Sequence, residues 1–292
     1  SSRRRHTRFR NVTGVQTCAL PISTNALSLN VTAGSDTMSL SGWVRDLNFT
    51  GSTVTLANNT LSIVGTLTLV TGNTLTAGAN IVTFAATGSQ TITTLGKTFD
   101  FPVTFDGVGG TFTLQDALTL GSTSTATLTN GTLSLNNFTL TCQSFSSANS
   151  NTRSISFGTT GKILIATTTT ATLVNMGTMT GFTFTGTSNI TLSGNASGAV
   201  TRTVSMGGTG GSATNALSLN VTAGSDTASI SGWVRDLNFT GSTVTLANNV
   251  LRIVGTLTIV SGNTLTAGTN TVTFAATGSQ TIRSEEHTSE LQ

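Results

Sequence analysis

Tyrosine is absent from the 292 residues, and histidine, cysteine and proline occur only twice each. Glutamate is confined to Glu285, Glu286 and Glu290, at the very end of the chain. Between residues 24 and 282 the scarcity is sharper still: no histidine and no glutamate remain, with one cysteine (Cys142) and one proline (Pro102). Each absence removes a chemistry. A Ser-His-Asp or Cys-His nucleophile needs an imidazole as its base. A zinc site of the His/Cys kind needs more than a single soft ligand. One cysteine cannot form a disulfide within this stretch, so cysteine usage does not mark a redox compartment. No apolar run approaches the roughly 18 residues of a membrane-spanning helix.

The two ends differ in kind from the interior. SSRRRHTRFRNVTGVQTCALPIS carries five arginines together with His6, Cys18 and Pro21. A basic n-region, a twin-arginine signal or a nucleic-acid arm has such charge, but VQTCALPI is too short and too polar for the apolar core of a secretory signal. The other end, RSEEHTSELQ (283–292), is encoded by AGATCGGAAGAGCACACGTCTGAACTCCAG. VTGVQTCALPI (12–22) is encoded by DNA carrying the reverse complement of that string, and SRRRHTR (2–8) matches an amplification-primer stretch. Both ends resemble sequencing-library adapter translated in frame. Residues 1–23 and 283–292 are therefore expected to be non-native, and they are set aside from fold and function as an expression scar would be.

With the ends removed, the charge argument changes. The net +3 comes entirely from the ends, whereas the interior balances seven Lys/Arg against seven Asp. The pI near 9.5 thus gives no reason to expect nucleic acid or an anionic membrane as partner. So few charges leave solubility to Thr, Ser and Asn, a composition also compatible with low-complexity disorder.

What is present is pattern. Residues 24–92 recur at 214–282 with eight differences: Met38/Ala228, Leu40/Ile230, Thr60/Val250, Ser62/Arg252, Leu69/Ile259, Thr71/Ser261, Ala79/Thr269 and Ile81/Thr271. The chain therefore reads as one complete unit of about 190 residues (24–213) and the start of a second, near-identical unit (214–282). Such a duplication belongs to a longer tandem array, or arises from joining related reads.

Within the unit, short segments with apolar residues at i and i+2 recur every seven to ten residues. They include LNF (47–49), VTL (54–56), LSI (61–63), TLTL (66–69), TLT (74–76), VTF (82–84), FTL (112–114), LTL (118–120), ATL (126–128), LSL (133–135) and FTL (138–140). Thr is β-branched and suits extended backbone with its hydroxyl on a wet face. Gly/Asn pieces such as TGN, AGAN, TNG and LNN separate the segments and tolerate positive φ. Sustained 3.6-residue periodicity is missing, so the fold class is all-β. The favoured architecture is a parallel β-helix, or β-solenoid, of coils about 20–25 residues long. Very short strands and the echoes FTGSTVTLANN (49–59)/FTGTSNITLSGN (184–195) and TRSISFG (152–158)/TRTVSMG (201–207) support it. Stacked β-sandwiches or hairpin repeats are the alternative.

Few residues invite chemistry. Asp100, Asp106 and Asp116 share FDFPVTFDGVGGTFTLQD, and paired carboxylates cleave glycosides, but Asp106 capping the Asp-Gly turn, with Asp100 and Asp116 solvating strand ends, explains them more simply. Asp36 and Asp226 in GSDT lack the closely spaced oxygens of a calcium loop. The most distinctive segment is SGWVRDLNF (41–49, repeated at 231–239). Trp43, Arg45, Trp233 and Arg235 are the candidate glycan contacts, since an indole beside a guanidinium can stack on a sugar ring. The simpler reading has Trp43, Arg45, Leu47 and Phe49 on one strand face, with Trp43 covering core and Arg45 paired to Asp46 or a neighbouring coil. Arg153 and Arg202 are expected at the surface or at coil edges, and Cys142 as a small buried hydrophobe. Asn-x-Thr/Ser triplets, as at Asn30, Asn48, Asn130, Asn137 and Asn189, are expected by composition alone.

Through GTLTL/GTLSL, residues 108–141 and the tandem unit, the interior resembles repetitive Thr/Gly/Asn-rich surface proteins of bacterial adhesins and phage-like fibres. That resemblance implies an extended rod that is extracellular, on a cell surface or on a virion. The expected partners are a cell-surface glycan or host surface, with self-stacking between repeats. The expectation is a non-catalytic structural or adhesive fragment without cofactor or metal; a carbohydrate-binding or polysaccharide-cleaving β-helix is the alternative.

Overall fold

A computed structural model describes residues 27–31, 40–49, 53–55, 60–69, 74–76, 80–167, 172–193, 200–222, 227–240, 243–245, 250–260, 265–266, 271–276 and 278–285. Every strand pairing among them is parallel, and all but one pair of short strands join a single continuous sheet. The chain is a β-solenoid. Each coil lays one strand on each of three columns, and each strand pairs with its counterparts in the coils above and below.

The columns are visible as ladders of core residues. In the first, Val44 stands opposite Ile63, Ile63 opposite Phe84, Phe84 opposite Phe105 and Phe105 opposite Leu128. The second begins with Leu29, Leu47, Leu67, Ile92 and Leu114. The third runs Leu118, Leu140, Ile163, Ile190 and Leu219. All of these side chains except Leu29 are buried.

A solenoid explains why a parallel sheet shows strict alternation. Parallel sheets are usually covered on both faces and read as continuous apolar runs. Here only the inner face is covered, so the apolar residues alternate with Thr and Ser, as in the strand Thr139–Cys142, where Leu140 and Cys142 point in and Thr139 and Thr141 lie partly exposed. Ring stacking tightens the interior: Phe84 and Phe105 lie 5.6 Å apart at 15°, and Phe105 meets Phe112 of the next column at 5.5 Å. Each fully buried Leu or Phe contributes about 1.5–3 kcal/mol of transfer free energy.

Turns are held by side chains that reach across coils. Leu95, Asn136 and Asn137 adopt positive φ, the region that disfavours residues with a Cβ. Asp116 anchors the first of these, accepting from Thr94 N at 2.9 Å and Thr94 Oγ1 at 3.0 Å, and also from Leu95 N. Asn137 Oδ1 accepts from Thr159 N at 2.7 Å in the following coil.

The two copies of the repeat do not occupy equivalent columns. Leu29, Leu47 and Leu67 begin the second column, whereas their counterparts Leu219, Leu237 and Leu257 continue the third. Likewise Val44 and Ile63 lie on the first column, while Val234 and Ile253 follow Gly232 along the second. The 190-residue advance thus carries the chain through a whole number of turns plus one third. Near-identical sequences sit on adjacent faces of the rod, and the sheet passes through the boundary unbroken.

One expectation is corrected. Arg153 and Arg202 are not surface residues but almost wholly buried, Arg153 at 1% exposure. Arg153 alternates inward with Ile155 and Phe157. Its five donors all find oxygen: Ser147 Oγ at 2.6 Å and the carbonyls of Asn151 (3.0 Å), Thr180 (2.9 Å), Ser147 (2.5 Å) and Thr178 (2.7 Å). Burial lowers its pKa from the ordinary value. A ring of oxygens, from Ser147 and Asn151 before it and from Thr178 and Thr180 in the longer coil that follows, stands in for a carboxylate. Arg202 reaches the carbonyl of Ser193 at 3.1 Å.

Candidate functional site at the SGWVRDLNF corner

In the first copy this segment is two strands, Gly42–Val44 and Leu47–Phe49, separated by a corner at Arg45 and Asp46. The corner breaks the parity expected across it. Leu47 and Phe49 point in, but Val44 takes the inward place before the bend, leaving Trp43 43% exposed and Arg45 exposed. Trp43 does not cover the core, contrary to the simpler reading.

Asp46 ties three coils together. Its carboxylate accepts from Ser28 Oγ at 2.5 Å in the coil before and from Thr66 N at 2.9 Å in the coil after. The Ser28 and Thr66 bonds, with a smaller contribution from Arg45, hold its pKa below the ordinary carboxylate value. Gly65 is required beside it, because a Cβ there would run into Asp46 Oδ1. The second copy repeats the device with Ser218 Oγ at 2.7 Å, Thr256 N at 2.9 Å and Gly255.

Around Trp233 and Arg235 the same segment has different neighbours. Arg252, which stands where the first copy has Ser62, places its guanidinium 5.3 Å from the Trp233 ring centre. The indole edge fills the space that a side chain at Gly211 would take. Arg235 lies 5.2 Å from the Phe184 ring centre and donates from Nε to the carbonyl of Ala216 at 3.2 Å. Trp43 is therefore open, whereas Trp233 is covered by neighbours from the following and the preceding coil.

A shallow polar groove starts at this second corner. Phe184, Thr185, Ser188, Ser218, Arg235 and Asp236 line one end, and it continues over Asn189, Asn220, Asn238 and Thr256. The amides form a ladder: Asn238 Nδ2 donates to Asn220 Oδ1 at 2.8 Å, and Asn220 Nδ2 to Asn189 Oδ1 at 2.9 Å. Sequence reading missed both the ladder and Phe184. The signal was available in LNV (29–31, 219–221) and LNF (47–49, 237–239), whose asparagines share one outward position per coil.

The remaining candidates are not brought together. Asp100, Asp106 and Asp116 fall at three successive corners of one coil. Asp106 accepts from Asn130 Nδ2 at 2.6 Å, and Asp116 holds the Thr94–Leu95 turn. Asp36 and Asp226 lie outside the described residues. Among the described residues no cluster of three or more His, Cys, Asp or Glu occurs. Cys142 is buried, and burial pushes its thiol up to about 12, which keeps it protonated and unreactive. Among the described residues no helix is long and apolar enough to cross a membrane. No protein-family model, curated protein or solved structure matches the chain.

Proposed function

We propose that the chain is a non-catalytic, load-transmitting section of a surface or fibre protein, a rod whose reach is set by the number of repeats. The observation that carries this reading is the unbroken third column across the unit boundary, Ile190 to Leu219 to Leu237 to Leu257. Quasi-one-dimensional stacking of this kind makes stability additive per coil, and each coil advances the rod by about 4.8 Å. Residues 1–23 and 283–292 are read as library-derived and take no part in the function; sequencing the source DNA across both ends tests that reading. The rod is assigned to an extracellular, cell-surface or virion setting. Small-angle scattering on the chain and on a version carrying a further 190-residue unit tests the rod. The maximum dimension rises in proportion to coil number if the reading holds, and stays constant if units fold back on one another.

A second reading, contact with cell-surface glycans, is favoured by the open indole of Trp43 at a corner beside exposed Arg45. A glycan array probed with the chain and with its Trp43→Ala variant separates the two. Glycan retained by the chain and lost in the variant supports adhesion, and no retention leaves the rod alone.

A further inference from the structure

The repeat carries its own record of what belongs on its open end. Residues 82–92 and 272–282 are identical throughout, and Val82, Phe84 and Ile92 are all essentially inaccessible. Their counterparts at the last coil are not: Phe274 is 41% and Ile282 62% exposed. In the first copy the cover is the coil that follows. Val103 stands opposite Val82, Phe105 opposite Phe84 with stacked rings, and Leu114 opposite Ile92. Backbone bonds complete the seat, from Thr111 N to the Gly88 carbonyl at 2.9 Å and from Gln115 N to the Ile92 carbonyl at 2.9 Å. The counterparts of those two acceptors are Gly278 and Ile282.

The covering coil is chemically selected. Gly107 and Gly110 both pass over the Ala86 carbonyl, so closely that a Cβ on either would collide with it. Ala276 repeats Ala86. A coil seated on the last turn therefore needs Val and Phe two residues apart, then two glycines three residues apart, then Leu.

We propose that the open end formed by Val272, Phe274 and Ile282 is a docking surface for one parallel coil with the pattern of residues 98–114. This rests on the rod reading only for its geometry, and labelling and rod length fail independently. The test uses the full chain with Cys18→Ser and F274C, Cys142 being buried and silent. Maleimide labelling is compared between this chain and one whose residues 283–292 are replaced by a second copy of residues 93–143 in which the copied Cys142 is changed to serine. The extension should slow labelling about tenfold or more, since reaction then requires local opening. An extension carrying alanine at the copies of Gly107 and Gly110 should restore the fast rate. I282C gives a second reporter should F274C disturb packing. Equal labelling with and without the extension overturns the proposal, and so does equal protection by the alanine extension. Slow labelling of the unextended chain together with a dimer in sedimentation also overturns it, because a second copy then takes the end.

Discussion

Ser28 and Asp46, one coil apart, are joined by a 2.5 Å hydrogen bond that Ser218 and Asp236 repeat at 2.7 Å on the neighbouring face of the rod. The same Ser–Asp pair holds the same geometry on two columns, so the clamp is encoded by the unit and not by the face it lands on. Because the folded Asp46 has a lowered pKa, the unfolded chain binds more protons in the acid range. Its stabilisation is complete above about pH 5, where both states are ionised, and disappears as pH falls through the folded pKa. Denaturant midpoints measured from pH 3 to 7 should therefore decline below about pH 4, and Asp46→Asn should flatten that decline. An unchanged acid limb in the variant would remove Asp46 as its source.

Arg153 carries the next prediction. Its guanidinium donates to the carbonyls of Thr178, Thr180 and Ser147. Arg153→Met keeps volume but leaves buried carbonyls without partners, each at a cost of about 1–3 kcal/mol. Chemical denaturation should show a loss of about 3 kcal/mol or more, with Arg153→Lys intermediate because one ammonium cannot span the ring of acceptors. A surface arginine would cost under about 0.5 kcal/mol, so the two locations are cleanly separated.

The buried arginines also mark what was legible in the sequence. Strand positions followed from apolar residues at i and i+2, and nearly every expected segment among the described residues is a strand. The same parity placed Arg153 with Ile155 and Phe157, and Arg202 with Val204 and Met206. Their charge argues for the surface against that parity, and the carbonyl ring that overrides desolvation cannot be seen without the fold. Parity failed at Trp43 for the opposite reason. A coil turns at Arg45–Asp46, and alternation on one strand says nothing about the next. The one-third turn between units was also hidden, because it depends on coil lengths summed over the whole repeat.

Phe84 and Phe274 allow one substitution to be made twice in the same sequence context. Phe84 is fully buried against Phe105, and Phe274 lies at the open end. Phe84→Ala should cost about 3–5 kcal/mol, the range for a core phenylalanine. Phe274→Ala should cost less, about 2 kcal/mol, since a ring 41% exposed withdraws only part of its apolar area from water. Equal losses would mean that something covers the last coil.

Glycines give the sharpest contrast. Gly232 has φ of 94°, and a Cβ on it would collide with the Met206 carbonyl in the coil before. Gly232→Ala therefore combines left-handed strain with forced separation of two paired strands, a loss of about 3 kcal/mol or more. Gly88 has no atom within 4 Å of the same position and no positive φ. Gly88→Ala removes freedom from the unfolded chain without a clash, and should stabilise by about 0.4–1 kcal/mol. Thermal melts of the two variants should move in opposite directions. Parallel shifts would mean that coil spacing at Gly232 is looser than the pairing of Met206 with Gly232 requires.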